Sequence, residues 1–250
     1  MTKVAGDFDY EQGGAGYGQR RRTDPRIAAL VHAALGEART VINVGAGAGS
    51  YEPTDREVTA VEPSASMRAQ RSTPAVDAVA EDLPFEDDAF DAGMAMVTIH
   101  QWPDLAAGLA ELRRVVRGPV VILTFDGDAF DRFWGFDYLP ELRAAEAGRM
   151  PGIVRVQELL GGSSTVTEVP IPIDCVDGFL EAFYARPEQL LNAAVRQAQS
   201  AWAFVDAGLI ERALARLADD LASGEWDRKY GPWRTLSEYQ GALRIITALP

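Results

Sequence analysis

The chain has 250 residues, 47% of them hydrophobic, and a formal net charge of −13, so it is long enough for one large domain with a buried core and too acidic to favour a nucleic-acid backbone or an anionic membrane surface. Its one cysteine, Cys175, excludes an intramolecular disulfide and a multi-cysteine metal site, which suits the reducing cytoplasm. No apolar leader and no apolar run of about 18 residues stand out, so neither export nor a membrane span is expected.

Residues 1–22 carry glycines, aromatic residues including Tyr17, and the triplet Arg20, Arg21, Arg22, without a sustained period; they read as a flexible arm. Thr23 or Asp24 caps a helix that has Pro25 at its first position and Ile27, Leu30, Val31, Ala34 and Leu35 on one face, with Gly36 ending it. The β-branched run Thr40 to Val44 is a strand that ends in Gly45, Ala46, Gly47 and Gly49, where missing side chains let a backbone turn sharply and approach a ligand. A polar link follows, then a second strand, Val58 to Val61, and Glu62 at its end, where a carboxylate can accept both hydroxyls of a ribose.

A nicotinamide or flavin dinucleotide needs a full helix after such glycines, because the helix N-terminus holds the pyrophosphate. Here Ser50 takes the third glycine's place, and the link Tyr51 to Glu57 contains Pro53 and leaves room for only about one helical turn. S-adenosylmethionine has no phosphate and needs no such anchor. The missing helix therefore favours S-adenosylmethionine over a dinucleotide.

Ser64 caps a short helix through Arg71, a third strand lies near Ala75 to Ala80, and Asp91 to Thr98 is an apolar buried strand. Asp104 caps a helix through Arg117, and Pro119 to Phe125 is the fifth strand. This alternation implies a parallel, doubly wound sheet with ligands at the strands' carboxyl ends. Beyond it, Phe125, Phe130, Phe133, Trp134, Phe136 and Tyr138 crowd a stretch too polar for a core strand and read as a pocket wall or lid. Ile153 to Leu160 is a helix, and Thr165 to Ile173 is a strand that Pro170 and Pro172 confine to an edge. Helices are expected near Val176 to Ala185, Pro187 to Ser200 and Leu209 to Ala222, and Gly241 to Leu249 is a last strand.

The glycine loop and the segment AEDLPFEDDAFDAGMAMVTIHQW, residues 80–102, resemble the class I S-adenosylmethionine-dependent methyltransferases, in the small-molecule branch of the ubiquinone and menaquinone methyltransferases. The specific match covers about residues 40 to 125. The resemblance implies a Rossmann-like, doubly wound, seven-stranded, mostly parallel α/β sheet with an antiparallel final strand beside strand five, and a helical cap formed by insertions. It implies a single domain over 1–250: arm and first helix 1–36, cofactor-binding core 37–125, cap and substrate insertions 126–163 and 174–240, last strands 164–173 and 241–249.

By the same resemblance Gly45, Ala46, Gly47, Glu62, Pro63, Met96 and Val97 surround S-adenosylmethionine, the Ala80 amide meets adenine with Glu81 beside it, and Tyr17 and Arg21 fold over the methionine end. Arg20 or Arg22 are the other arginines able to fill Arg21's role. Two departures stand out: Val79 where members often carry Asp, and Asn43 where many carry an acid.

Methyl transfer is an in-line displacement, so alignment and exclusion of water are the main tasks. His100, ending strand four, is placed either to act as general base or to shape the pocket by hydrogen bonding. Phe133, Trp134, Phe136 and Phe183, with Phe179 and Tyr184, are expected to line a substrate pocket; His32 is expected at the surface or in packing. The function expected is methyl transfer to O, C or N of a small, largely apolar metabolite, aromatic ones included, with S-adenosylhomocysteine as product. No metal is involved, no nucleic acid or membrane is a partner, and the protein is a monomer or homodimer in the cytoplasm. The alternatives are a cofactor-binding relative that transfers no methyl group and, disfavoured by the missing helix, a nicotinamide oxidoreductase.

Overall fold

The structure, a computed structural model, describes residues 21–250. Asp24 opens the first helix, α1 (Pro25–Ala34), by accepting the Arg26 amide at 3.0 Å. That side-chain oxygen satisfies an amide the helix cannot pair itself. Ile27, Ala28 and Val31 are buried, but Leu30, expected on the same face, is 37% exposed. It lies about 100° from Val31 around the helix and falls outside the buried stripe.

The strands β1 (Thr40–Val44), β2 (Glu57–Val61), β3 (Ala75–Val76), β4 (Ala92–Met96) and β5 (Val120–Phe125) are mutually parallel. β9 (Leu243–Leu249) lies antiparallel between β5 and the edge strand β6 (Ser163–Glu168). The resulting order is β3-β2-β1-β4-β5-β9-β6, the Rossmann-like sheet with the antiparallel strand beside β5. The expected edge strand is split. Its proline-bearing end, β7 (Ile171–Pro172), leaves the main sheet and pairs with β8 (Glu238–Tyr239), because proline has no amide to give a long ladder.

One buried cluster packs α1 and the cap aromatics on one face of the sheet. On the other face a second cluster packs α3 (Leu105–Arg114) and α6 (Ile153–Leu160), α2 being the short Ala65–Arg68 helix. The third strand stops at Val76 instead of Ala80, and the helix after β2 ends at Arg68.

The cap differs most from expectation. Residues 127–149 fold as a 3₁₀ turn and two helices, α4 (Gly135–Tyr138) and α5 (Pro140–Arg149), the second starting at a proline that fits a first helical position. The helices expected over 176–185 and 187–200 are instead 3₁₀ turns, Leu180–Phe183 and Pro187–Leu191, and the single turn α7 (Ala193–Arg196). After them α8 (Ala207–Ser223) matches its expected helix, and α9 (Glu225–Tyr230) supplies Trp226, fully buried against Trp134 with ring centroids 5.2 Å apart. Among the described residues no helix is long and apolar enough to cross a membrane.

Candidate functional site

β1 lies between β2 and β4, so their carboxyl ends are neighbours: Val44 is opposite Val61, and Asn43 is opposite Met94. This is the place where strand order reverses and a crevice opens. The chain leaves β1 through Gly45, whose φ is +71°, and the Gly45 and Ala46 amides both donate to the Val61 carbonyl at 2.9 Å. A Cβ on Gly45 would stand 2.9 Å from Thr98 Cγ2, and Thr98 Oγ1 is closer still. The loop thus passes against the end of β4 where no side chain fits. Gly47 follows at φ +50°.

Glu62 closes the loop. Its Oε2 accepts the Gly47 amide and its Oε1 the Ser64 amide, each at 2.8 Å, and the residue is buried. Burial pushes its pKa up, against the lowering pull of those two amides and of Arg68 and Arg71. Each carboxylate oxygen can accept a further donor, which leaves capacity for two ribose hydroxyls. Pro63 joins Glu62 to Ser64 in the chain. Ala80 is buried, and its amide makes no hydrogen bond among the described residues. A Cβ on Gly108 would meet Trp102 at 2.6 Å and Ala80 at 3.2 Å, so that glycine lets Trp102 and the Ala80 turn close together. Glu81 accepts the Asp104 amide at 3.1 Å and so ties this turn to the start of α3.

Beneath the loop is a network that sequence reasoning missed. Asn43 Nδ2 donates to Glu52 Oε1 at 2.9 Å, and Arg71 Nη2 donates to both Glu52 oxygens at 2.9 Å. Arg71 Nη1 reaches the Ala46 and Gly47 carbonyls at 3.4 and 3.3 Å. The only signal in sequence was the missing charge at Asn43, which asks for a carboxylate elsewhere. His32, on α1, contacts the Tyr51 carbonyl through Nε2 at 3.0 Å and so supports the same link.

At the end of β4, Met96 is the last strand residue and Val97 takes φ +52°, a conformation that costs a β-branched residue strain and that concentrates at functional sites. The kink leads into the 3₁₀ turn Ile99–Gln101, and it brings Val97 and His100 onto one cavity with Phe125, Phe130, Phe179 and Glu181. Its free space is about 40 Å³, water-sized rather than metabolite-sized. Phe133, Trp134, Phe136 and Phe183 do not line it. They are buried in the cap core, where Trp134 Nε1 donates to the Tyr184 carbonyl at 2.7 Å. Their spacing could not say which aromatic rings face a cavity and which pack on Trp226 and Tyr230.

Glu181 was also missed. It is 1% exposed, accepts the Ala242 amide at 2.9 Å and the Tyr239 hydroxyl at 3.4 Å, and burial pushes its pKa up to about 7. Arg21, expected at the cofactor's carboxylate, also lines the cavity. Its Nε donates to buried Asp177 at 2.6 Å, and Asp177 accepts the Tyr51 hydroxyl at 2.7 Å as well. Tyr17 lies outside the described residues.

A glycine loop against a strand-end carboxylate, with no phosphate-binding helix behind it and a histidine-lined cavity at the next strand, defines a nucleoside-cofactor site of the S-adenosylmethionine type. A methyltransferase-domain family profile matches residues 42–123. The chain is 32% identical over 120 residues to a ubiquinone/menaquinone biosynthesis C-methyltransferase of Citrifermentans bemidjiense, an alignment covering 34% of this chain and 51% of that protein. To the same enzyme of Geobacter sp. strain M21 it is 30% identical over 150 residues, 46% of this chain and 63% of that one. The chain thus spans about half to under two thirds of these relatives' length. A crystal structure described as a methyltransferase from an antibiotic biosynthesis pathway of Anabaena variabilis superposes with TM-score 0.86 at 32% identity, over 92% of this chain and 99% of that one. The chain belongs to the class I S-adenosylmethionine-dependent methyltransferases.

Proposed function

We propose that this protein transfers the methyl group of S-adenosylmethionine to an oxygen, carbon or nitrogen of a small, largely apolar metabolite, aromatic ones included, and releases S-adenosylhomocysteine. The observation that carries the reading is Glu62, buried and bonded to the Gly47 amide at 2.8 Å at the end of β2, with β1 between it and the strand that leads to His100 and its cavity. Gly45, Ala46, Gly47 and Pro63 shape the floor, Glu62 takes the ribose hydroxyls, the free Ala80 amide meets adenine, and Met96 and Val97 face the sulfur end. The bound cofactor supplies an electrophilic methyl carbon.

The chain's own residues then align an acceptor lone pair with that carbon and exclude water. His100 stands where it can take the acceptor's proton. Residues 126–152 and 174–240 act as the acceptor cap, whereas α6, within the expected insertion 126–163, packs on the other face of the sheet; Phe125, Phe130 and Phe179 favour an apolar ring. The net charge of −13 supports a small acceptor over a nucleic acid. We place the protein in the cytoplasm, as a monomer or homodimer.

Incubation with methyl-labelled S-adenosylmethionine and a panel of phenols, catechols, aromatic amines and carboxylic acids tests the reading. Label in a small product, lost in the Glu62→Ala variant, is expected. Tight cofactor binding with no labelled product from any acceptor class would replace this reading with a cofactor-binding relative that transfers no methyl.

A further inference from the structure

Asn43 is 1% exposed, and its amide faces Glu52, with Nδ2 at 2.9 Å from Oε1. A carboxylate only accepts, so the NH₂ must be the atom on that side. Asn43 Oδ1 therefore points away from Glu52, and it has no hydrogen-bond partner among the described residues. A buried amide oxygen left unpaired is unfavourable, and such atoms mark places where a ligand or water completes the bonding.

Glu52 is held from the other side by Arg71, whose side chain is only 2% exposed. The three contacts, one from Asn43 and two from Arg71, leave about one of the carboxylate's roughly four acceptor positions open. The same arginine reaches the Ala46 and Gly47 carbonyls, so the position of Glu52 is locked to the glycine loop.

Resting on the methyl-transfer reading, we propose that Asn43 and Glu52 together form the subsite for the ammonium of the cofactor's amino-acid end, with Arg71 as the positioning residue. An ammonium brings three donors and no acceptor. Asn43 Oδ1 takes one, and Glu52 supplies the negative charge that an amide cannot. The acid missing from β1 is thus provided nine residues later, by the link that replaces the usual helix.

The test is calorimetric, with S-adenosylhomocysteine and its deamino analogue, in which hydrogen replaces the amino group, titrated into wild type, Glu52→Gln and the double variant Asn43→Asp/Glu52→Gln. Wild type should prefer the amino form by about ten- to a hundredfold, the scale of a charge-assisted hydrogen bond. Glu52→Gln should weaken S-adenosylhomocysteine about tenfold and the deamino analogue less than about twofold, and moving the acid back in the double variant should recover affinity to within about threefold. Equal losses for both ligands would show that Glu52 only holds the loop, and unchanged S-adenosylhomocysteine affinity would likewise overturn the assignment. Should the variants that carry Glu52→Gln not fold, the wild-type preference decides alone, and absence of a preference for the amino form rejects the subsite. Wild type that binds neither ligand would refute the methyl-transfer reading itself.

Discussion

Replacing Gly45 by alanine tests the geometry at the heart of the site. The residue sits at φ +71°, and its new Cβ would lie 2.9 Å from Thr98 Cγ2 and 3.0 Å from Thr98 Cβ, with Oγ1 nearer. The left-handed backbone costs alanine about 1 to 2 kcal/mol and crowding in a packed site about 1 to 3, offset by about 0.4 to 1 from the stiffer unfolded chain. A net loss of roughly 2 to 4 kcal/mol follows, a fall in Tm of about 4 to 16 °C for a chain of this length. Denaturant unfolding of Gly45→Ala, Thr98→Ala and the double variant measures it. Thr98→Ala removes Oγ1 and Cγ2 but leaves the backbone strain, so the double variant should recover about 1 kcal/mol or more of coupling. A single variant within about 0.5 kcal/mol of wild type, or a double variant that shows no coupling, would refute the packing argument.

Three further outcomes are expected. Glu62→Ala should weaken S-adenosylhomocysteine binding by about 1.5 to 3 kcal/mol, read by calorimetry, and unchanged affinity would remove Glu62 from the ribose site. Glu181 has a folded pKa raised from 4.5 to about 7, so its stabilising contribution is present below its ordinary value and is lost as pH rises through about 7. Glu181→Gln should therefore gain on wild type by about 1 to 3 kcal/mol between about pH 5 and pH 8 in urea unfolding; a pH-independent difference would show that Glu181 does not titrate there. His100→Ala should leave cofactor binding intact and lower turnover about 10² to 10⁴-fold if the imidazole is a base. A His100→Asn variant with near-wild-type rate and an unchanged acid limb in its pH profile would restrict His100 to shaping the pocket.

The elements that were legible in sequence are those whose signals are local. Asp24 accepts the Arg26 amide, Ser64 the Met67 amide at 3.2 Å and Asp104 the Ala107 amide at 3.0 Å, so short polar caps followed by apolar periods located three helix starts. The glycine loop and Glu62 were legible for the same reason, since loop and carboxylate are separated by a single strand. What sequence hid depends on distant partners: Asp177 meets Tyr51 across 126 positions, and Glu181 meets the Ala242 amide across 61. Apart from α8, the cap offers little apolar period to read, because its short turns are held by aromatic packing among Trp134, Trp226 and Tyr230. Of the aromatic residues singled out from sequence, Phe125, Phe130 and Phe179 line the cavity, while Phe133, Trp134, Phe136 and Phe183 are buried in the core away from it.

The most direct test of the account is a calorimetric comparison of S-adenosylhomocysteine and NADH on the same preparation. Glu62 opposite a glycine loop, with no helix to anchor a pyrophosphate, predicts one saturable site for S-adenosylhomocysteine and no heat of binding from NADH. Saturable binding of NADH with none of S-adenosylhomocysteine would contradict it.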